Sequence, residues 1–223
     1  MSMVAALLLP LFLAQTTTAP AGAVGERFAQ CVALTEQNPA RAYEEAMAWA
    51  ADTQSVHAYR CAAMALTEQG RYDDGATRLQ SLASAVNPEN TGLRASLWSQ
   101  AGNAWLLARE PGNARSNFTR AITALQADPQ QLPDLLIDRA RAYAMERDWR
   151  PAEEDLSRSL DIRPDNALAL RLRAAARMNQ RSYELAEADA RAAIRLEPAN
   201  QENTVVLGDI RESVRIGAPF ERN

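Results

Sequence analysis

Three side chains in this 223-residue chain carry reactive chemistry: Cys31, His57 and Cys61. His57 and Cys61 are four residues apart, one turn of a helix, so an imidazole and a thiol would share a face there. A thiol beside an imidazole is a nucleophile, and two thiols with an imidazole are three zinc ligands. The rest of the sequence argues against both. His57 is the only histidine, and no Asn or Asp at an obvious spacing orients its ring. Two cysteines cannot build a four-cysteine zinc site or a disulfide-rich scaffold. All 24 basic residues are arginine. Without lysine there is no Walker-type phosphate loop, Schiff base, kinase lysine or Ser-x-x-Lys nucleophile. The chain reads as non-catalytic, with no metal and no cofactor; a Cys/His-dependent metal-binding or thiol enzyme is the alternative.

Partners are bounded by charge. The 24 basic residues face 28 acidic ones, a net of −4, which lacks the basic excess of a nucleic-acid binder. Apolar residues are 47% of the chain, enough for a sizeable buried core. Val4 to Ala14 is apolar and uncharged, and Ala21-Gly22-Ala23 is a small-x-small site. That pattern reads as a signal peptide over 1–23: the apolar run is too short to span a bilayer and fits a secretory core. It implies export with cleavage before Val24. An uncleaved anchor, making a membrane-tethered interaction domain, is the alternative. Arginine without lysine and abundant alanine suit a high-GC bacterium, so the destination would be the periplasm or the medium.

The elements that must position any site are helices. From Gly25 onward apolar residues recur at three- and four-residue spacing, and no strand-like alternation persists. Asn38-Pro39 reads as an N-cap followed by proline at the first helical position, Pro111 and Pro151 as the same proline, and Ser182 as an N-cap. Pro88, Pro129, Pro164 and Pro198 follow helix ends. Pro164 and Pro198 are 34 residues apart, as are Ala140 and Ala174, Ala152 and Ala186, Leu160 and Ile194, Ile162 and Leu196, and Trp149 and Tyr183. A recurring period of this length marks an array of supersecondary units rather than one closed core.

In these residues the chain resembles the tetratricopeptide repeat family, whose unit is two antiparallel helices, A and B. The family's small eighth position is met by Ala63, Gly102, Ala140 and Ala174, and its small twentieth by Ala42, Gly75, Ala114, Ala152 and Ala186. The twenty-seventh reads Ala121, Ser159 and Ala193 but departs at Trp49 and Leu82. Trp98 falls on the large fourth position, and Tyr72, Trp149 and Tyr183 fall on the aromatic seventeenth. The tryptophans are therefore packing residues. Gly70-Arg71-Tyr72 is a turn between paired helices.

The resemblance implies an all-α fold, a right-handed α-solenoid of about five helix-hairpin repeats over 24–200 (25–53, 55–88, 93–129, 133–165 and 167–200). A capping helix over 201–216 and a loose tail over 217–223 follow. Ile122 to Pro129 is expected to lengthen the B helix of repeat three by about one turn. In the cap, Val205, Val206, Leu207, Ile210 and Val214 form the apolar face. Glu44-Glu45, Asp73-Asp74 and Glu153-Glu154-Asp155 are expected to begin B helices, where negative charge complements the dipole.

Function also follows from the resemblance: an interaction scaffold whose A helices line a concave groove. Position by position the groove is Arg27, Cys31 and Leu34; His57, Arg60 and Met64; Ser96, Ser99 and Asn103; Ile137, Arg141 and Met145; Arg171, Met178 and Asn179. Glu68 and Asp134 interrupt it. Arginine forks and adaptable methionines suit another protein's extended peptide or helix, acidic in character; another face of the solenoid is the alternative docking surface. No small-molecule substrate is evident. The lysine/asparagine carboxylate clamp of chaperone-binding members is not matched. The same architecture makes the helices carrying Cys31 and Cys61 neighbours, so in an oxidising compartment they form a disulfide or stay two separate thiols.

Overall fold

The computed structural model describes residues 21–125 and 130–221; the expected signal segment up to position 20, and Pro129, lie outside them. Among the described residues there are eleven helices and no strand. They alternate as antiparallel pairs: α1 (Ala21–Gln37) with α2 (Pro39–Thr53), α3 (Val56–Glu68) with α4 (Tyr72–Ala85), and α5 (Thr91–Leu107) with α6 (Pro111–Ala124). Then come α7 (Leu132–Met145) with α8 (Trp149–Ile162), α9 (Ala167–Asn179) with α10 (Tyr183–Leu196), and α11 (Gln201–Ile216). Each helix packs on its neighbours in the chain, the arrangement of an α-solenoid.

The punctuation is local chemistry. Asn38, Asn90, Asn166 and Asn200 are N-caps whose side chains accept backbone N–H groups of Arg41, Leu93, Ala169 and Glu202 at 3.0–3.3 Å. Pro39 and Pro111 sit at the first helical position. Pro151 does not, because α8 begins two residues earlier at Trp149. Ser182 stands at the N-cap of α10 without a side-chain cap bond. Four A helices end alike, with a left-handed residue at Gly70, Arg109, Arg147 or Arg181. The next N–H then reaches back five residues to a carbonyl, as Glu110 to Trp105 and Asp148 to Tyr143 at 2.9 Å.

Small residues let the paired axes approach. Ala140, Ala152, Ala174 and Ala186 are fully buried at these crossings. At Gly102 an added Cβ would lie 2.6 Å from the Phe118 ring, and at Gly75 it would lie 2.9 Å from the Ala63 carbonyl oxygen. Alanine is already too large there unless the helices move apart.

Four expectations are corrected. The α6 helix ends at Ala124, no longer than α4, because Leu125 leaves the helix and buries its side chain in the core. Of the carboxylate runs, only Asp73 and Asp74 lie in a first helical turn; Glu44 and Glu45 sit mid-helix, and Asp155 is buried in an ion pair. The cap helix, Gln201–Ile216, turns only part of the expected face inward: Ile210 is buried, with Val206 and Leu207 packed beside it. Asn203 and Ser213 are buried beside Ile210, whereas Val205 and Val214 are exposed. Asn203 explains this, because its side-chain amide donates to the carbonyls of Ala193 and Glu197 and closes the end of α10. The tail is not loose through Glu221. Ala218 and Phe220 donate backbone N–H bonds to the Ser213 carbonyl and hydroxyl, and Glu221 pairs with Arg147.

Candidate binding face

The A helices bring the expected groove residues to one layer, but the two ends of the layer are engaged internally. Cys31 and Cys61 are joined in a disulfide between α1 and α3, their Cα atoms 6.2 Å apart. With both sulfurs in one bond, neither is a thiolate nucleophile or a metal ligand, and Cys31 is buried rather than lining a groove. No cluster of three metal-ligating side chains occurs among the described residues. His57 packs on the Phe28 ring, centroids 5.2 Å apart, and the Arg60 guanidinium lies 5.1 Å from the same ring. Arg60 also donates to Gln100 at 3.0 Å and Ser96 at 3.2 Å, tying α3 to α5. Burial lowers its pKa from the ordinary guanidinium value. Arg27 stacks on Trp49 of α2, 4.8 Å from the ring centroid.

At the far end Arg171 is mostly buried and paired with Glu202 of α11. Met178 is buried in the cluster of Ala174, Ala186 and Ile210, so it is core rather than surface, and Ile137 is buried likewise. Asn179 donates to the Ala175 carbonyl of its own helix. Met64 is half-buried.

The middle differs. Between α5 and α7 lies a cleft of about 200 Å³ lined by Ser96, Ser99, Gln100, Leu125, Asp134 and Asp138, among others. Arg141 is half-exposed and held by one 3.3 Å contact to Asp138, and Met145 is exposed. Asn103 hydrogen-bonds to Asp138, whose pKa is nonetheless raised: burial outweighs the lowering by Arg141 and Asn103. Asp134 accepts from Arg163 at 2.7 Å. An open cleft with hydroxyls, amides and two carboxylates, beside a loosely held guanidinium that contacts one of those carboxylates, can take backbone and polar groups of a chain laid across it.

Other polar groups that the sequence reading missed hold the scaffold. Arg139 makes two 2.7 Å bonds to Asp155, and Arg173 repeats them on Asp189 at 2.8 and 2.9 Å. Arg177 bridges Asp189 and Glu153. The signal was there: both pairs are an arginine and an aspartate 16 residues apart, recurring at the repeat period.

No protein-family model and no curated relative matches the chain. Solved structures do. The first tetratricopeptide domain of human RPAP3 aligns at 27% identity and a TM-score of 0.51, over 55% of this chain and 93% of that one. The first such domain of Spaghetti (RPAP3), bound to the HSP90 peptide SRMEEVD, aligns at 27% and 0.50 over 54% of this chain and 93% of its own. The MamA RS-1 double mutant covers more, 80% of this chain and 94% of its own at a TM-score of 0.65, but at 14% identity that likeness speaks to the fold alone. The chain has the tetratricopeptide-type α-solenoid fold.

Proposed function

We propose that this chain is a non-catalytic protein-interaction scaffold that binds a segment of another protein across the α5–α7 part of its concave face. The observation that carries the reading is the contrast within that face. Its ends are consumed by contacts between helices, while Arg141, held by one contact to Asp138, and Met145 are exposed beside the α5–α7 cleft. The peptide bound by the RPAP3 domain supports this kind of use for the fold. The guest is an extended peptide or a helix; Arg141 favours a carboxylate on it, and Asp134 favours a donor beside it. No catalytic residue, cofactor or small-molecule substrate is assigned.

The setting we propose is the bacterial cell envelope, after export and cleavage before Val24. The apolar run from Val4 to Ala14 and the small residues Ala21 to Ala23 support it. Gly22 and Ala23 are exposed in the first turn of α1, where their loss would remove no core. A mature N-terminus at Val24 in the periplasmic fraction is the expected result; an intact Met1 there would overturn the compartment. For the binding face, Arg141→Glu with Met145→Asp should abolish co-purification of bound protein without changing the helical circular dichroism. Full retention of partners would overturn the reading.

A further inference from the structure

A different surface is the edge of the solenoid where A helices turn into B helices. In repeat two the left-handed turn position is Gly70 (φ 76°), the residue that adopts it without steric cost. In the next three repeats the same position is Arg109, Arg147 and Arg181, at φ 60°, 60° and 64°. A branchless glycine would serve the turn better, so three successive arginines there make a case for the side chain rather than for folding. All three are exposed, and Arg109 and Arg181 form no ion pair among the described residues. The three stand just past the C-terminal ends of successive A helices, α5, α7 and α9.

The chain itself shows what such an arginine accepts. The tail after α11 is folded back through Ser213, and its Glu221 carboxylate reaches Arg147. Glu110 and Asp148, which follow two of the arginines, stand at the N-caps of α6 and α8, where the helix N-terminus favours their charge. They and the overall net charge of −4 disfavour a densely phosphorylated polymer but leave room for spaced carboxylates.

We propose that the turn edge bearing Arg109, Arg147 and Arg181 binds an extended acidic segment of a partner protein, and that the chain's own residues 218–221 occupy part of this surface through Glu221. The site stands at the turns that follow the A helices, with Arg147 two residues beyond Met145, and it does not rest on the concave-face reading.

The test is fluorescence anisotropy of a labelled Glu-Gly-Ser repeat peptide, its glutamates three residues or about 10 Å apart when extended, on the full chain at low salt. Arg109→Gly with Arg181→Gly relieves the backbone at both turns, so the double variant keeps or raises the melting temperature. Its affinity should fall by about tenfold or more. Glu221→Gln frees Arg147 and should tighten binding severalfold. Unchanged affinity in the double glycine variant, or no binding by either the parent chain or Glu221→Gln, overturns the proposal. Loss of binding in Arg141→Glu with none in the double glycine variant also overturns it, and assigns the peptide to the concave face instead.

Discussion

Repeats four and five and the N-terminal hairpin solve the same problem by different means. In the C-terminal pair, buried arginine–aspartate forks recur at the repeat period, and Arg177 links them to Glu153 of the preceding B helix. In the N-terminal pair no such fork exists. Cys31–Cys61 joins α1 to α3, and arginines rest on aromatic rings at Trp49 and Phe28. Among the described side chains of α1, from Gly22 on, Cys31 and Thr35 are the buried ones, so the covalent link stands where apolar burial is thin. A solenoid is stabilised neighbour by neighbour, and each end needs its own device. Arg60, in donating to Ser96 and Gln100, and Arg139, in its fork, reach into α5 and α7 as well, and Arg141 and Met145 stay exposed there.

The largest effect should come from breaking a fork. Asp189→Ala strands Arg173 in a mostly buried site, leaves Arg177 with Glu153 alone, and should cost about 3–5 kcal/mol in urea unfolding. Replacing Arg139 and Asp155 together by apolar residues of similar volume should be far milder, which separates the cost of a stranded charge from the value of the pair. Next comes the disulfide. Cys31→Ser with Cys61→Ser should cost roughly 2–4 kcal/mol, seen as faster amide exchange in α1 and α2 with α7–α10 unchanged. Uniform loosening would erase the contrast between the ends. Ala174→Trp or Ala186→Trp should cost about 1–3 kcal/mol or more by prying paired helices apart; an unchanged melting temperature would contradict the register.

The smallest effect lies in the middle. Burial raises the pKa of Asp138, so the folded state holds its proton more tightly than the unfolded chain does. The stability it contributes is therefore fully present below the ordinary carboxylate range and is lost as pH rises through the raised value. Asp138→Asn should raise the melting temperature slightly at neutral pH, with the gain fading as the parent protonates in acid.

The pairing of helices was legible because small residues at a crossing leave a strict trace. Ala140, Ala152, Ala174 and Ala186 were found by spacing alone and are buried where spacing puts them. The binding face was less legible. Periodicity assigns Arg60, Arg171 and Met178 to the A-helix layer but cannot say whether a neighbouring helix brings Gln100, Glu202 or Ile210 within reach. The cap helix is legible in part: Val206, Leu207 and Ile210 pack inward, but counting apolar residues also favours Val205 and Val214, while the carbonyls at the end of α10 need Asn203. Asp155 reads as a helix-start charge from the sequence, although its partner Arg139 sits 16 residues upstream, and Asp189 repeats the pair with Arg173 at the same interval.

The most direct test of the account is photocrosslinking in intact cells, with a photoreactive residue placed in turn at Ser99, Asn103, Met145, Thr123 and Leu185. The account predicts adducts of one partner from Ser99, Asn103 and Met145, with none from Thr123 and Leu185 on B helices. Adducts from the B-helix positions, with the α5–α7 positions silent, would contradict it.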